Sequence, residues 1–443
     1  MLGRSVLLNV GGQVLLLLVG FVSSLLLARW LGPADRGLLA VMIEVAGVGL
    51  VVAGLGLPLA VVYYASRADA PAGALLGNNL AYTALLTILF VPGCWIFHRQ
   101  IADLVGHGRG GTTWVLAAAL VPVTFLNWTT SNQLLGRLQF GVFNLLMVLS
   151  KVVIVLVIVV LIGVAGLGVG AGVAANISGG VVLIIGSMVL VLQHARPALD
   201  RRLFARTLNY GLRVQVGTVF QTLNYRLDII VLQFFRPLAQ VGYYVVAEIM
   251  AELVILVANG FQSSVQPLIS HYEGEDRQAE TTKMAVRHHG LLAAAAIAAN
   301  AAFSPLVIWY GYGPSFHAAL APFFVLLPGM WFLGTGTVIA GDLRGRGRPG
   351  IPSVLAGAAV VATVGLDLAL IPPLGVMGAA VASLVAYTIY GVGSLVALAR
   401  VSEIPVRELV VPQRRDLGVY RAALSRAYAA VSRGRTPAPR VPD

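Results

Sequence analysis

The sequence places eight ionisable side chains inside long apolar stretches. They are Glu44, Lys151, Arg213, Arg226, Asp228, Glu248, Glu252 and Asp367. If such a stretch lies in a bilayer, an ionisable group near its middle costs at least about 2.5 kcal/mol unless it faces water or a partner. Groups kept at that cost are suited to binding a charged ligand or to coupling with an ion.

The most polar of these stretches covers residues 208–235. At about 100° per residue, six of its positions fall within an arc of about 120°. They are Asn209, Arg213, Gly217, Gln221, Asn224 and Asp228. This arc predicts a water-facing wall on which Arg213, Gln221 and Asn224 bind substrate, because a guanidinium donates two parallel hydrogen bonds to phosphate. The alternative is that Arg213 snorkels toward the headgroups. Arg226 points the other way, and a structural ion pair and a place in the cleft both remain open for it.

Lys151 lies about 13 Å inside its apolar stretch, with no acidic residue within one helical turn. It is predicted either to contact substrate or coupling ion, or to form a buried ion pair with another helix. Asp367 falls within a turn of its predicted helix end, so we expect a solvated surface acid.

Four acids form the predicted ion-coupling set. Glu248 and Glu252 are four residues apart and share a helix face, so one shared proton is expected between them. Asp228 and Glu44 complete the set. The alternative is that one glutamate of the Glu248 and Glu252 pair neutralises Lys151 or Arg213 and the other faces the outer headgroups.

Composition limits the class of protein. Of 443 residues, 58% are hydrophobic and only 11% are charged, whereas soluble domains carry about 25% charged residues. This excludes a soluble enzyme, a disordered chain, a disulfide scaffold and a nucleic-acid binder. The net charge is +12 at pH 7. Cys94 is the single cysteine in the sequence, so no internal disulfide can form. No nucleotide motif and no metal-binding spacing occurs, so we expect no cofactor, no metal and no ATP hydrolysis.

Apolar runs of about 20 residues predict an all-α integral membrane protein with about 12 transmembrane helices. The predicted spans are 9–28, 38–63, 76–97, 113–135, 142–163, 168–193, 208–235, 242–263, 288–310, 318–341, 352–371 and 376–399. With both termini inside, 22 of the 30 Lys and Arg residues fall in inside segments and five in outside segments. This asymmetry predicts cytoplasmic termini.

The two halves of the chain repeat one another. Residues 30–38 (WLGPADRGL) correspond to residues 235–243 (FRPLAQVGY), and further matches follow in the same order at offsets of 207 to 209. Six spans separate the copies, so the repeats are parallel. We predict two six-helix lobes around a central cleft, residues 1–200 and 201–400. Residues 401–443 are predicted to form a cytoplasmic tail, whose amphipathic helix, starting at Leu417, contacts anionic membrane lipids.

Four segments resemble the polysaccharide and O-antigen flippases, a family of the multidrug/oligosaccharidyl-lipid/polysaccharide exporter superfamily. They are LLLARWLGPADRGLLA (25–40), NYRLDIIVLQFFRPLAQVGYY (224–244), GDLRGRGRPGIP (341–352) and LIPPLGVMGAAVAS (370–383). The sequence departs from the family pattern at residues 236–238, where Arg-Pro-Leu replaces the usual Gly-Pro. We also expect no counterpart of the two additional C-terminal helices of the lipid II flippases, which makes a lipid II substrate less favoured.

The resemblance implies a transporter and not an enzyme. Its substrate would be a polyprenyl-diphosphate-linked oligosaccharide, moved across the bacterial inner membrane by alternating access, with glycan polymerase and assembly proteins as partners. A cation-coupled multidrug antiporter of the same superfamily and a lipid II flippase remain alternatives. A membrane-embedded polysaccharide polymerase or ligase is less favoured, because no large outside loop is present to carry catalytic residues.

Overall fold

A computed structural model describes residues 2–67, 70–271, 275–413 and 416. Every regular element in these ranges is helical. The helices are α1 (Leu2–Gly54), α2 (Leu57–Ala65), α3 (Ala72–Val105), α4 (Thr113–Gly136), α5 (Phe140–Ile158), α6 (Val169–Leu192), α7 (Arg201–Phe235), α8 (Leu238–Glu252), α9 (Ile255–His271), α10 (Glu275–Leu306), α11 (Leu320–Gly345), α12 (Gly350–Leu374), α13 (Val376–Ser402) and α14 (Val406–Val410). π-helical turns extend α5 over Val159–Val164 and α10 over Val307–Tyr312, and a 3-10 helix covers Pro314–Ala319.

The first two predicted spans form one long helix with a kink. Gly32 has φ 72° and ψ 175°, a backbone conformation outside the helical region, and Pro33 follows it. Glycine adopts positive φ without the steric penalty of a Cβ, and proline is favoured at the first position of a helical segment. The kink therefore separates two spans within α1. The second span runs from the kink to Gly54, and the short helix α2 follows it.

The helices agree with the predicted number of spans. Within the described ranges, nine helices are long and apolar enough to cross a membrane, and the bent pair α8 and α9 is a tenth, with a 47° bend. The stretch Leu15–Gly54 is one of the nine but contains two predicted spans. The polar helix α7 is 35 residues long and is not among them because its hydropathy is low.

The chain divides into two compact units. Unit 1 comprises Met1–Val246, Val307–Pro322 and Thr363–Ala379, and unit 2 comprises Ala247–Leu306, Phe323–Ala362 and Ala380–Asp443. In unit 1, α4 packs against α2, α3 and α6, while α1 packs against α4, α5 and α7. The predicted lobes 1–200 and 201–400, which rest on the sequence repeat, stay a prediction. The predicted amphipathic helix of the tail lies outside the described residues.

Candidate functional site

A cavity of about 750 Å³ lies between five helices of unit 1. We call it the charged cavity. Side chains at helical spacing line it, so each helix contributes one face. The lining residues include Glu44, Gly47 and Val51 from α1, Thr124, Asn127 and Ser131 from α4, Met147, Lys151 and Ile154 from α5, Asn176 and Gly180 from α6, and Thr222 and Arg226 from α7.

Three charged side chains meet the charged cavity. Arg226 Nη1 lies 3.4 Å from Glu44 Oε1, and the side chains of Arg226 and Glu44 are 40% and 14% exposed. Lys151 is half-buried, and among the described residues its ammonium has no ion pair or hydrogen bond. With one acid and two bases, the cavity carries one surplus positive charge. Arg226 is thus paired with a residue of another helix and also lines the cavity, and its predicted contact with substrate stays a prediction.

Uncharged polar side chains complete the lining, and sequence reasoning did not identify them. Asn132 Nδ2 donates to Pro58 O at 2.8 Å, Asn176 Nδ2 donates to Gly172 O at 2.9 Å, and Ser150 Oγ donates to Gly179 O at 2.8 Å. These bonds fix the orientation of each side chain. The signal available in the sequence was a set of amides and hydroxyls at helical spacing inside apolar spans.

Helix α7 contributes two described side chains to the charged cavity, and neither belongs to the predicted wall. Thr222 and Arg226, four residues apart, line the cavity, whereas Arg213 is exposed and is not part of its lining. Asp228, on the predicted wall, is 1% exposed and faces no water. The side chains of Gln221 and Asn224 lie outside the described part of the chain. Substrate contacts through Arg213, Gln221 and Asn224 stay predictions.

A buried acidic cluster lies elsewhere in unit 1. Tyr244 donates its hydroxyl hydrogen to Asp228 Oδ2, and the backbone N–H of Ile229 donates to Asp228 Oδ1 at 2.8 Å. Asp367 is fully buried, and neither of its carboxylate oxygens has a hydrogen-bond partner within the described ranges. Asp228 is close enough to act on it electrostatically. A buried acid without such a partner requires either a proton or a cation.

The prediction of a solvated Asp367 is therefore wrong. It assumed a helix end near residue 371, but α12 continues to Leu374. Asp367 thus lies two turns inside the helix, where neighbouring elements cover it.

The remaining predicted coupling acids lie on α8. Glu248 is 3% exposed, and Glu252, the last residue of the helix, is half-buried. Their spacing places both on one helix face, as expected. Their part in ion coupling, like that of Glu44 and Asp228, stays a prediction. No three His, Cys, Asp or Glu side chains in the described ranges lie close enough together to hold a metal ion.

Comparison with solved structures shows which known fold this chain shares. An inward-facing multidrug resistance transporter of the MATE family superposes with a TM-score of 0.73 at 15% identity, covering 88% of this chain and 94% of its own. The lipid II flippase MurJ in an inward closed conformation superposes with a TM-score of 0.78 at 14% identity, covering 98% of this chain and 94% of its own. A transporter of the MOP superfamily from Pyrococcus furiosus gives a TM-score of 0.63 at 16% identity, covering 88% and 93%.

These similarities show the transporter fold, and the predicted all-α membrane architecture of about 12 spans is confirmed. The family follows from sequence. A family model described as "Polysaccharide biosynthesis protein" matches residues 2–273, more than half of the chain. The chain belongs to this family, and the predicted relationship to polysaccharide flippases is confirmed at that level. No curated protein matches the sequence.

Proposed function

We propose that this protein moves a polyprenyl-diphosphate-linked oligosaccharide across the bacterial inner membrane by alternating access, with both termini in the cytoplasm. One observation carries the proposal: the charged cavity holds a surplus cation, Lys151, beside the Glu44–Arg226 pair, in a member of a polysaccharide biosynthesis family. A cation held at membrane depth without an acidic partner suits an anionic ligand.

The diphosphate group would bind where these cations meet. An ammonium is a compact point charge that suits a phosphate oxygen, and the guanidinium of Arg226 offers a planar pair of donors. Because Arg226 already contacts Glu44, an arriving phosphate competes with that carboxylate. The pair then opens as the substrate binds and re-forms as it leaves, so neither charge is left unpaired in the empty cavity. Arg213 remains a proposed further contact.

The size and lining of the charged cavity suit the head of such a lipid. Its volume of about 750 Å³ lies within the usual range of roughly 300–1,000 Å³ for small-molecule sites. That is enough for a diphosphate and the first sugars, whose hydroxyls would meet Asn127, Asn176 and neighbouring polar groups. The polyprenyl chain would stay in the bilayer.

We assign the energy source to an ion gradient acting through buried acids. The Asp228–Asp367 cluster holds two carboxylates in an apolar setting, where both cannot stay ionised without a cation. Binding and release of a proton or a monovalent cation there would accompany the conformational cycle. Glu248 and Glu252 are the second proposed coupling pair.

A cation-coupled drug antiporter is the principal alternative, since the MATE transporters share this fold. Glu44 is the feature that favours it, because an acid in the cavity attracts cationic drugs. The net positive charge of the lining argues against it. A lipid II substrate remains open because MurJ also shares the fold, and the same diphosphate chemistry would serve it.

The test is ligand binding by the purified full-length protein in detergent. Lys151→Gln should weaken binding of undecaprenyl diphosphate by roughly thirtyfold, the equivalent of about 2 kcal/mol for one charged hydrogen bond. Lys151→Arg should retain most of the affinity. Lys283→Gln is the matched control, because Lys283 is the other lysine of the chain and pairs with Glu408 instead. If the wild type binds a cationic dye and does not bind undecaprenyl diphosphate, the result contradicts the proposal and supports the drug antiporter.

A further inference from the structure

A second cavity, of about 730 Å³, lies in unit 1 at the predicted cytoplasmic ends of its helices. We call it the basic groove. It is formed by the first turn of α3, the residue after α4, the connection between α6 and α7, and the first residues of α7. Its charged lining residues are Arg137, His194, Arg196, Asp200, Arg201 and Arg202. None of them belongs to the charged cavity.

The basic groove has a large unneutralised charge. All four arginines are exposed, and within the described ranges none of their guanidinium groups forms an ion pair or a hydrogen bond. The one acid, Asp200, is occupied as a helix cap, since its Oδ1 accepts the backbone N–H of Leu203 at 2.9 Å. Four positive charges around one cavity repel one another unless an anion lies between them.

Basic residues of unit 2, on the same predicted side, show the contrast. Lys283 Nζ lies 2.9 Å from Glu408, and Arg346 Nε lies 2.5 Å from Asp342. Arg287 donates to the backbone carbonyl of Glu408 at 2.7 Å. There the protein supplies a partner for each of these three cations. In the basic groove it supplies none.

The groove is held in shape by its backbone. Ala198 N–H donates to Gly73 O at 3.0 Å, and Asn78 exchanges two hydrogen bonds with the backbone of Asp200, at 2.9 and 3.1 Å. The α6–α7 connection lies so close to α3 that a Cβ on Gly73 would be 2.0 Å from Arg196 O, and one on Gly77 would be 2.1 Å from Ala198 O. This contact fixes Arg196, and the start of α7 after it, against α3.

We propose that the basic groove binds the phosphate group of an anionic phospholipid of the cytoplasmic leaflet. The positive-charge asymmetry predicts that the groove lies on the cytoplasmic side, and anionic headgroups of that leaflet attract Lys and Arg side chains close to the membrane. A bound headgroup would neutralise the arginines and hold the α6–α7 connection, the segment that joins the two sequence repeats, against α3. The site is independent of the proposed transport function.

The experiment measures lipid binding by native mass spectrometry of the full-length protein in detergent, with phosphatidylglycerol against phosphatidylcholine. The double variant Arg196→Gln/Arg202→Gln should bind phosphatidylglycerol roughly thirtyfold more weakly, because it removes two guanidinium groups that would contact the bound phosphate. Arg344→Gln/Arg348→Gln loses the same charge on the same predicted side, but neither residue lines the groove, so its binding should stay within about twofold of the wild type. Phosphatidylcholine should bind equally weakly to all three proteins.

A second variant separates a shaped site from diffuse charge. Gly77→Ala keeps every arginine but pushes the α6–α7 connection off α3, so it should also lose phosphatidylglycerol. If Gly77→Ala does not fold, the comparison between the two arginine double variants tests the proposal alone. Equal weakening by the two arginine pairs would overturn the proposal, as would competition by free inorganic phosphate as strong as that by the lipid. If the groove variants lose binding of undecaprenyl diphosphate but bind phosphatidylglycerol as the wild type does, the groove belongs to the transported lipid. That result would also overturn the proposal.

Discussion

The buried charges of this protein fall into two kinds, and the difference lies in their partners. Glu44 and Arg226 neutralise each other across 3.4 Å, as the cost of charge at membrane depth requires. Lys151 and Asp367 have no such partner among the described residues. Groups that a fold keeps at an energetic cost are candidates for function. We therefore assign Lys151 to the anionic substrate and Asp367 to the coupling ion.

This assignment predicts that Asp367→Asn stabilises the protein while it abolishes transport. The substitution removes a buried carboxylate that has no hydrogen-bond partner and lies near Asp228, so the midpoint of thermal unfolding should rise by the equivalent of about 1 kcal/mol or more. Transport should fall to background because the ion has lost its ligand. Both quantities can be measured on one detergent-purified sample and its proteoliposomes.

Asp342→Asn is the matched control. Asp342 is equally buried, but its carboxylate accepts hydrogen bonds from Arg346 and Thr282. Its loss should therefore destabilise the protein by about 3 kcal/mol. Destabilisation by both substitutions would show that Asp367 has a structural partner.

At the scale of elements, the sequence repeat appears as a crossing of two helices. Gly37 on α1 and Gly242 on α8 are 205 residues apart, the offset of the repeat. A Cβ on Gly37 would lie 1.9 Å from Leu238 O, and one on Gly242 would lie 2.1 Å from Pro33 O. Pro33 and Leu238 are also separated by 205. The two helices thus meet through equivalent positions, and only glycine permits so close an approach.

Alanine at either position should therefore be costly. Gly37→Ala and Gly242→Ala should each destabilise the protein by about 1–3 kcal/mol, since a methyl group would displace backbone. The double variant should cost less than the sum, because the two sites share one contact. Gly20→Ala, also on α1, meets nothing within 4 Å and serves as control. Thermal unfolding of the four variants and the wild type measures these costs, and a Gly37→Ala variant as stable as the wild type would refute the crossing.

The short helix α14 gives a prediction about pH. The ammonium of Lys283 donates a hydrogen bond to Glu408 and lowers the pKa of this carboxyl group below its ordinary value. A lowered pKa in the folded state means that the contact stabilises fully above the ordinary glutamate pKa of about 4.3 and is lost as pH falls through the lowered value.

Hydrogen exchange in residues 406–410, corrected for the intrinsic effect of pH, should therefore accelerate in the wild type as the pH falls through the lowered pKa of Glu408. In Glu408→Gln it should be fast at every pH, with no transition. A wild-type transition that survives in Glu408→Gln would assign the effect to another group.

Sequence patterns located the helices better than they oriented them. Apolar run length identified each span, but the kink at Gly32 was not predicted, since nothing in hydropathy separates one kinked helix from two. On α7, periodicity correctly placed Asp228 and Arg226 on opposite faces. It did not show which face lines a cavity, because that depends on the packing of α1, α4 and α5. The prediction for Asp367 was wrong because the end of its helix was placed one turn too early.

At the scale of the whole molecule, the sidedness of the membrane rests on charge. Of the 30 basic residues, 22 lie on one predicted side and five on the other, and this asymmetry predicts a cytoplasmic basic groove and cytoplasmic termini. The helices agree in number with that topology. The proposed direction of transport, from the cytoplasm outward, depends on it.

Cysteine labelling tests this topology. In a Cys94→Ala background, an impermeant maleimide added outside should label Thr112→Cys and should not label Arg348→Cys until the membrane is opened. Both positions are exposed, and neither side chain caps a helix or pairs with an acid in the described ranges. The opposite labelling pattern would mean that the topology is inverted, with both termini outside.

The central claim is that the charged cavity carries a lipid diphosphate across the bilayer. Purified protein in proteoliposomes, with a fluorescent undecaprenyl-diphosphate-linked disaccharide, tests this directly through the rate at which the label becomes accessible to a membrane-impermeant quencher. We predict that the wild type moves the lipid, that Lys283→Gln behaves as the wild type, and that Lys151→Gln falls to the rate of protein-free vesicles. Equal rates for Lys151→Gln and the wild type, or no movement of this lipid by a folded wild type that exports cationic drugs, would contradict the account.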